Sequence, residues 1–203
     1  HRHSGRLSPY SNFEFKMKKK EVVWTLFLDR DGVINKRLPD DYVKVWHEFE
    51  FLPKTLKALN LLRPLVKYIF VVTNQQGISK GLMNLEDLSF IHKHLKKVTR
   101  KNKSSIDEIY ICPDLAEDDP PCRKPNIGMG LQAKSDFPDL DFKYSIMVGD
   151  SPSDIEFGKK LQMKTVFIDE KMADIQTEAD YTCHDLMEFY RIFVLDFTGK
   201  FKS

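Results

Sequence analysis

Apolar positions fall into two kinds of pattern along this chain. Residues 22–28 (VVWTLFL) form a continuous apolar, β-branched and aromatic run that stops at Asp29. Such a run predicts a strand buried on both faces, the habit of a parallel sheet. Residues 52–65 instead place Leu56, Leu59, Leu62 and Leu65 at three-residue steps. That spacing is a helical face, with Pro53 suited to its first turn. A second strand is predicted over 68–72, ending at Thr73-Asn74. Residues 84–101 gather Leu85, Leu88, Phe90, Ile91, Leu95 and Val98 on one helical face, and Asn84 with Asp87 makes a start signal. Further along come a strand over 106–111, a loop rich in Pro and Asp over 112–126, and a weak helix over 127–135. A strand over 145–148 then runs into Gly149-Asp150, followed by a helix at 153–161, a strand at 165–168 and a last helix at 184–193.

Strands alternating with helices imply an α/β fold: a Rossmann-like, doubly wound parallel sheet with right-handed crossovers. Asp29, Thr73 and Asp150 each lie at or just past the carboxyl end of a predicted strand. In open parallel sheets the ligand crevice lies outside those ends. Three residues distant in sequence are therefore expected in one site.

Those residue types suit phosphate ester chemistry. Asp29 and Asp31 flank Arg30, and Gly32 permits the turn that brings the second carboxyl back toward the first. Asp29 is the candidate nucleophile toward phosphorus and Asp31 the candidate general acid and base. Close carboxylates repel each other and a dianionic substrate, and a divalent cation offsets this. Asp29, Asp150 and the backbone carbonyl of Asp31 are the candidate ligands, an oxygen set suited to Mg²⁺. The hydroxyl of Thr73 and the ammonium of Lys124 are candidates to hold the other phosphoryl oxygens. Asp154, one helical turn after Asp150, is placed to orient Lys124 or a metal-bound water.

Composition narrows the classes. The chain has 203 residues, 41% of them apolar, enough for one medium domain with a real core. The formal charge of +2 is too small to indicate nucleic-acid binding. No run approaches the roughly 20 apolar residues that span a bilayer. Residues 1–20, polar at first and then lysine-rich, read as a tag or disordered leader, with 21–203 as a single domain. Cys112, Cys122 and Cys183 are an odd set at uneven spacing, which fits a reducing cytoplasm better than a disulfide framework.

Taken in order, Phe27-Leu28-Asp29-Arg30-Asp31-Gly32-Val33-Ile34-Asn35, Val72-Thr73-Asn74, Arg123-Lys124-Pro125 and Val148-Gly149-Asp150-Ser151-Pro152-Ser153-Asp154 resemble the four motifs of the haloacid dehalogenase superfamily. The resemblance covers about residues 22–170. It implies a Rossmann-like fold, Mg²⁺ and a phospho-aspartate intermediate on Asp29. Asn74-Gln75-Gln76-Gly77-Ile78-Ser79-Lys80-Gly81 and Cys122-Arg123-Lys124-Pro125 add a closer likeness to the D-glycero-D-manno-heptose 1,7-bisphosphate phosphatases, near relatives of the histidinol-phosphate phosphatases. That likeness implies a small phosphorylated metabolite as substrate, with Asn35, Asn74, Gln75 and Arg123 touching it. The intervals between motifs are too short for a large cap domain, so loops are expected to shape the pocket.

One departure from the resemblance concerns zinc. Many members of this subfamily carry a zinc loop with the pattern Cys-x-His and later Cys-x-Cys. Here Asp114 and Pro120 stand where a His and a Cys belong, leaving Cys112 and Cys122 alone. Structural zinc wants four good ligands, so two free thiols are expected there instead. The leading expectation is a monomeric, cytoplasmic Mg²⁺-dependent phosphomonoesterase acting on a heptose bisphosphate, without nucleic-acid or membrane partners. Histidinol phosphate and a nucleic-acid 3′-phosphate are alternative substrates. A catalytically silent phosphate-binding regulator is the alternative of another class; the complete set of motif residues speaks against it.

Overall fold

The computed structural model describes residues 21–199. The leader expected at 1–20 lies outside the described residues. Six strands form one all-parallel sheet: β1 (Thr25–Leu28), β2 (Ile69–Asn74), β3 (Glu108–Cys112), β4 (Ser145–Gly149), β5 (Lys164–Ile168) and β6 (Tyr181–Cys183). Their spatial order is β3-β2-β1-β4-β5-β6. Five helices accompany them: α1 (Thr55–Leu62), α2 (Leu85–Lys101), α3 (Gly128–Asp136), α4 (Pro152–Lys160) and α5 (Leu186–Asp196).

Side chains alternate across a strand, and the two faces of this sheet build two cores. Leu26, Leu28, Ile69, Val71, Ile146 and Val148 face one side, packed with Leu59 of α1, Ile91 and Leu95 of α2 and Phe189 of α5. Phe27, Phe70, Val72 and Met147 face the other, against Met129 of α3 and Phe157 of α4. Both faces are covered, so the strands read as unbroken apolar runs. Among the described residues no helix is long and apolar enough to cross a membrane.

Several expectations shift in detail. The first helix starts at Thr55, so Pro53 precedes it, and Lys54 caps it in the left-handed region at φ 65°. It ends at Leu62, where Pro64 enters a 3₁₀ turn over Arg63–Leu65; proline has no N–H for an α-helical bond. On α2 the buried stripe is Leu88, Ile91, His92, Leu95 and Thr99. Leu85 and Phe90, placed on that face from the sequence, are exposed. The Asn84 cap is present, with Asp87 completing a capping box. The edge strand β6 has no counterpart in the apolar pattern. It is three residues long with Thr182 exposed, and its parallel pairing with Val166, Phe167 and Ile168 of β5 defines it.

Register positions the chemistry. Leu28 pairs with Val71 on one side and Val148 on the other. The chain past Leu28, the end of β2 and the chain past β4 therefore emerge side by side at the carboxyl edge.

Candidate active site

Asp29 follows β1 directly, and its N–H donates to the Val148 carbonyl at 3.0 Å. Its carboxylate is 6% exposed. The Lys124 ammonium, itself buried, reaches it from the loop before α3: Nζ donates to Asp29 Oδ1 at 2.9 Å, to Asp154 Oδ1 at 2.7 Å and to the Val72 carbonyl at 2.7 Å. All three ammonium hydrogens thus have an acceptor. Burial alone would lower the Lys124 pKa, but Asp154 and Asp29 overcome it and keep the amine protonated. Burial pushes the Asp29 carboxyl well up, helped by Asp154 and Asp150 and opposed by Lys124. Asp29 and Asp154 share one ammonium with Asp150 close by, a concentration of negative charge that a cation would relieve.

Asp154 is braced on its other side. Its Oδ2 accepts from the N–H groups of Asp150 and Ser151 and from the Ser151 hydroxyl. This carboxylate at the start of α4 closes the turn after β4, with Pro152 in the first helical turn. Gly149 permits the approach: a Cβ there would lie 2.2 Å from the Asp154 Cβ.

Asp31 has a different shell. Oδ1 accepts from Arg30 Nε and Nη2 and from Asn35 Nδ2, and Oδ2 accepts from Arg30 Nη2 and Gln75 Nε2. Burial would raise its pKa, but the Arg30 guanidinium and the amides of Asn35 and Gln75 outweigh that and hold it below the usual carboxylate range. Arg30 is fully buried. Its Nη1 lies 3.0 Å from Nε2 of His92 on α2. Burial first, then the Arg30 charge, pull the His92 pKa down to about 3, so the imidazole is neutral and accepts from Arg30. Gly32 turns the chain back at φ 89°, and a Cβ there would lie 1.8 Å from Asp150 Oδ2. Only glycine fits that turn.

The carboxylates of Asp29, Asp150 and Asp154 each offer an oxygen within 4.8 Å of the others. Asp154 is committed to Lys124 and to backbone donors, which leaves Asp29, Asp150 and the nearby Asp31 carbonyl. This all-oxygen donor set fits Mg²⁺, which takes few protein ligands and keeps several waters. Burial raises the Asp150 pKa, with Asp154 adding to it and Arg37 opposing.

A cleft of about 280 Å³ opens over these groups, bordered by Asp29, Thr73, Asn74, Arg123 and Lys124 and by loop residues Tyr42 and Gln76. Asn74 lies at the cleft and clasps the Lys124 backbone, its Oδ1 accepting from the N–H and its Nδ2 donating to the carbonyl. Arg123 faces the cleft, and its buried Nη1 finds no hydrogen-bond partner among the described residues. Two expected substrate contacts are placed elsewhere. Asn35 and Gln75 are fully buried and turn their amides to Asp31, with Gln75 Nε2 also donating to Thr73 Oγ1 at 2.9 Å. They brace the second acid instead of facing the cleft. Arg30, Arg37, Tyr42, Gln76 and His92 were not singled out from the sequence. His92 carried a signal, since a polar residue between Leu88 and Leu95 sits on the apolar stripe.

The zinc loop differs from expectation in another way. Cys112, at the end of β3, and Cys122 are joined as a disulfide, their Cα atoms 5.3 Å apart, where two free thiols were expected. The loop between them folds back far enough to bring the sulfurs together. A bridged pair has no thiolate to give a zinc ion. Cys183 is a buried core thiol, its pKa pushed up to about 12 by burial.

A parallel sheet with paired acids past its central strand, a buried lysine between them and a fourth-motif acid, and an oxygen set for a hard cation together define a phosphatase of the haloacid dehalogenase type. Residues 24–198 match the family model described as Polynucleotide kinase 3 phosphatase. The D-glycero-alpha-D-manno-heptose-1,7-bisphosphate 7-phosphatase of Mycobacterium tuberculosis is 46% identical over 133 residues, 66% of this chain and 70% of the relative. The enzyme of that description from Campylobacter jejuni is 38% identical over 143 residues, 70% of this chain and 80% of the relative. Among solved structures, D,D-heptose 1.7-bisphosphate phosphatase from B. bronchiseptica, complexed with magnesium and phosphate, superposes with a TM-score of 0.76 at 26% identity, covering 86% of this chain and 99% of that one. The chain belongs to the haloacid dehalogenase superfamily, within the family that model describes, and is closely related to the D-glycero-D-manno-heptose 1,7-bisphosphate phosphatases.

Proposed function

We propose that this protein is a Mg²⁺-dependent phosphomonoesterase that removes the 7-phosphate of a D-glycero-D-manno-heptose 1,7-bisphosphate through a phospho-aspartate on Asp29. The observation that carries the reading is the Asp29 carboxylate, held against the Lys124 ammonium at 2.9 Å and opening onto the cleft. Its kinship with heptose bisphosphate phosphatases supplies the sugar.

In this reading Asp29 attacks phosphorus and the leaving sugar oxygen departs on the opposite side. Lys124 and the Thr73 hydroxyl hold phosphoryl oxygens, so charge in the transition state meets fixed donors. Asp31 protonates the leaving oxygen, then takes a proton from the water that hydrolyses the acyl phosphate. Its ionised form, favoured by Arg30, suits the second step. A dianionic substrate alongside raises its proton affinity for the first. Mg²⁺, bound by Asp29, Asp150 and the Asp31 carbonyl, supplies charge neutralisation for the acids and the phosphoryl group. The unpartnered Arg123 nitrogen at the cleft supports a contact with a second anionic group of the substrate. Domain 21–203 then acts as one catalytic unit, and a monomer is the working state.

A second reading has its own observation, the description of the matching family model. It makes the substrate a 3′-phosphorylated nucleic-acid end. The formal charge of +2 and the small cleft favour the sugar phosphate. A screen comparing both anomers of the heptose bisphosphate, histidinol phosphate and a 3′-phosphorylated oligonucleotide, with and without EDTA, decides between them. The highest kcat/KM on a heptose bisphosphate, abolished by EDTA and restored by Mg²⁺, is expected. Preference for the oligonucleotide would overturn the sugar assignment, and EDTA-insensitive turnover would overturn the metal.

A further inference from the structure

Arg37 lies in the irregular segment after Asn35, and its side chain is 56% exposed along its length. Its tip reaches the acid cluster. One nitrogen, Nη2, lies 3.0 and 3.1 Å from the two oxygens of Asp150, 3.1 Å from the Asp31 carbonyl oxygen and 4.0 Å from Asp29 Oδ2. Those are the oxygens assigned above to the divalent cation. A guanidinium nitrogen and a metal ion cannot engage one set of oxygens together, because both are cationic and both need the same lone pairs.

We propose that Arg37 is a built-in counter-ion that competes with the divalent cation: it holds the acids when metal is absent and has to release them for metal to bind, so it weakens cation affinity. This inference rests on the cation site of the proposed function. Charge bookkeeping explains why such a device is useful. Asp29, Asp150 and Asp154 bring carboxylate oxygens within 4.8 Å of one another, and Lys124 engages Asp29 and Asp154, leaving Asp150 to Arg37. The Arg37 guanidinium, 3.0 Å from Asp150 Oδ1, offsets part of that crowded negative charge. Release needs room and a mobile arm. The Lys36 N–H is anchored to the Glu50 carbonyl, so the strap is fixed just before Arg37. Beyond the guanidinium, away from the catalytic cleft, lies a second cleft of about 520 Å³ bordered by Pro39, Asp169 and Glu170. It can receive the displaced side chain beside acidic groups.

The test is Mg²⁺ titration by calorimetry into metal-stripped protein, comparing wild type with Arg37→Gln and Asp150→Asn, alongside thermal unfolding of each. Arg37→Gln is expected to bind Mg²⁺ about tenfold more tightly, the equivalent of one partly exposed ion pair no longer displaced. Metal-free Arg37→Gln is expected to melt below wild type, and saturating Mg²⁺ is expected to close most of that gap. If Arg37→Gln folds poorly without metal, Arg37→Lys serves, because it keeps the charge on a shorter, more mobile arm; that variant is expected to bind Mg²⁺ with intermediate affinity. Unchanged or weaker Mg²⁺ binding in the Arg37 variants, with wild-type binding lost in Asp150→Asn, would overturn the competition while leaving the cation site intact. Wild-type protein that binds no Mg²⁺, or binds it equally well in Asp150→Asn, would overturn both.

Discussion

Around Asp29 the chain collects like charge; around Asp31, one residue past Arg30, it collects donors. Asp29 meets two further carboxylates and a single shared ammonium, and burial drives its pKa up. Asp31 meets a buried guanidinium and two amides, and its pKa falls. The two acids leave the same strand end, so their difference comes from what is brought to them. The loops after β4 and before α3 bring Asp154 and Lys124 to the first. Arg30, Asn35, Gln75 and, behind Arg30, His92 serve the second. Two carboxyl groups with surroundings that push their pKa values apart are the usual sign of divided chemical labour. The acid surrounded by negative charge is the one whose charge a cation and a phosphoryl group can neutralise. The acid held by donors stays ionised, with a free form that can take a proton from water.

The sharpest way to break the comparison is to remove one acid at a time. Asp29→Asn is expected to cut kcat about 10⁴-fold or more, since it removes the proposed nucleophile. Asp31→Asn is expected to cost roughly 10²- to 10⁴-fold, the range for a lost general acid and base. Steady-state kinetics with each variant checks both, and equal residual rates would erase the division of roles. Lys124→Met attacks the first cradle through stability. It removes the buried cation that Asp29 and Asp154 share, and urea denaturation is expected to show a loss of roughly 3–5 kcal/mol. A loss below about 1 kcal/mol would mean that the pair is screened like an ordinary surface ion pair.

The smallest effect concerns His92. The unfolded chain protonates its histidines below about pH 6.5, whereas His92 in the fold stays neutral down to about 3. Between those values the unfolded state binds more protons, so this residue's contribution is intact above pH 6.5 and is lost as pH falls. The slope is at most about 1.4 kcal/mol per pH unit. His92→Gln keeps an acceptor for Arg30 and is expected to flatten the fall in stability between about pH 6.5 and about pH 4, measured by urea denaturation across that range. An unchanged slope would mean that His92 is protonated within the fold.

How much of this was legible in the sequence follows from what makes each signal. β1, β2 and β4 are buried on both faces, so their apolar runs are unbroken and their ends point to Asp29, Thr73 and Asp150. The four motif segments gave the acids, the hydroxyl and the lysine, and the structure gathers them at one edge. β6 was hidden because a three-residue edge strand buries too little to leave a pattern. Asn35 and Gln75 were placed on the substrate by the likeness to the heptose bisphosphate phosphatases. Their direction depends on the turn at Gly32 and on Arg30 behind them, which only the folded chain displays. The cysteine bridge was missed because spacing alone does not report that the loop after β3 folds back on itself. Arg37 stands in no motif, and its reach to Asp150 spans sequence that shows no sign of the contact.

The central claim is that the acid surrounded by like charge becomes the covalent intermediate while the acid held by donors completes the cycle. Mixing Asp31→Asn protein with substrate and Mg²⁺, quenching in acid and mapping peptides by mass spectrometry tests it most directly. One added phosphoryl group on the peptide carrying Asp29, accumulating because its hydrolysis has slowed, is the predicted result. A phosphoryl group on any other residue, or none while product is still released, would contradict it.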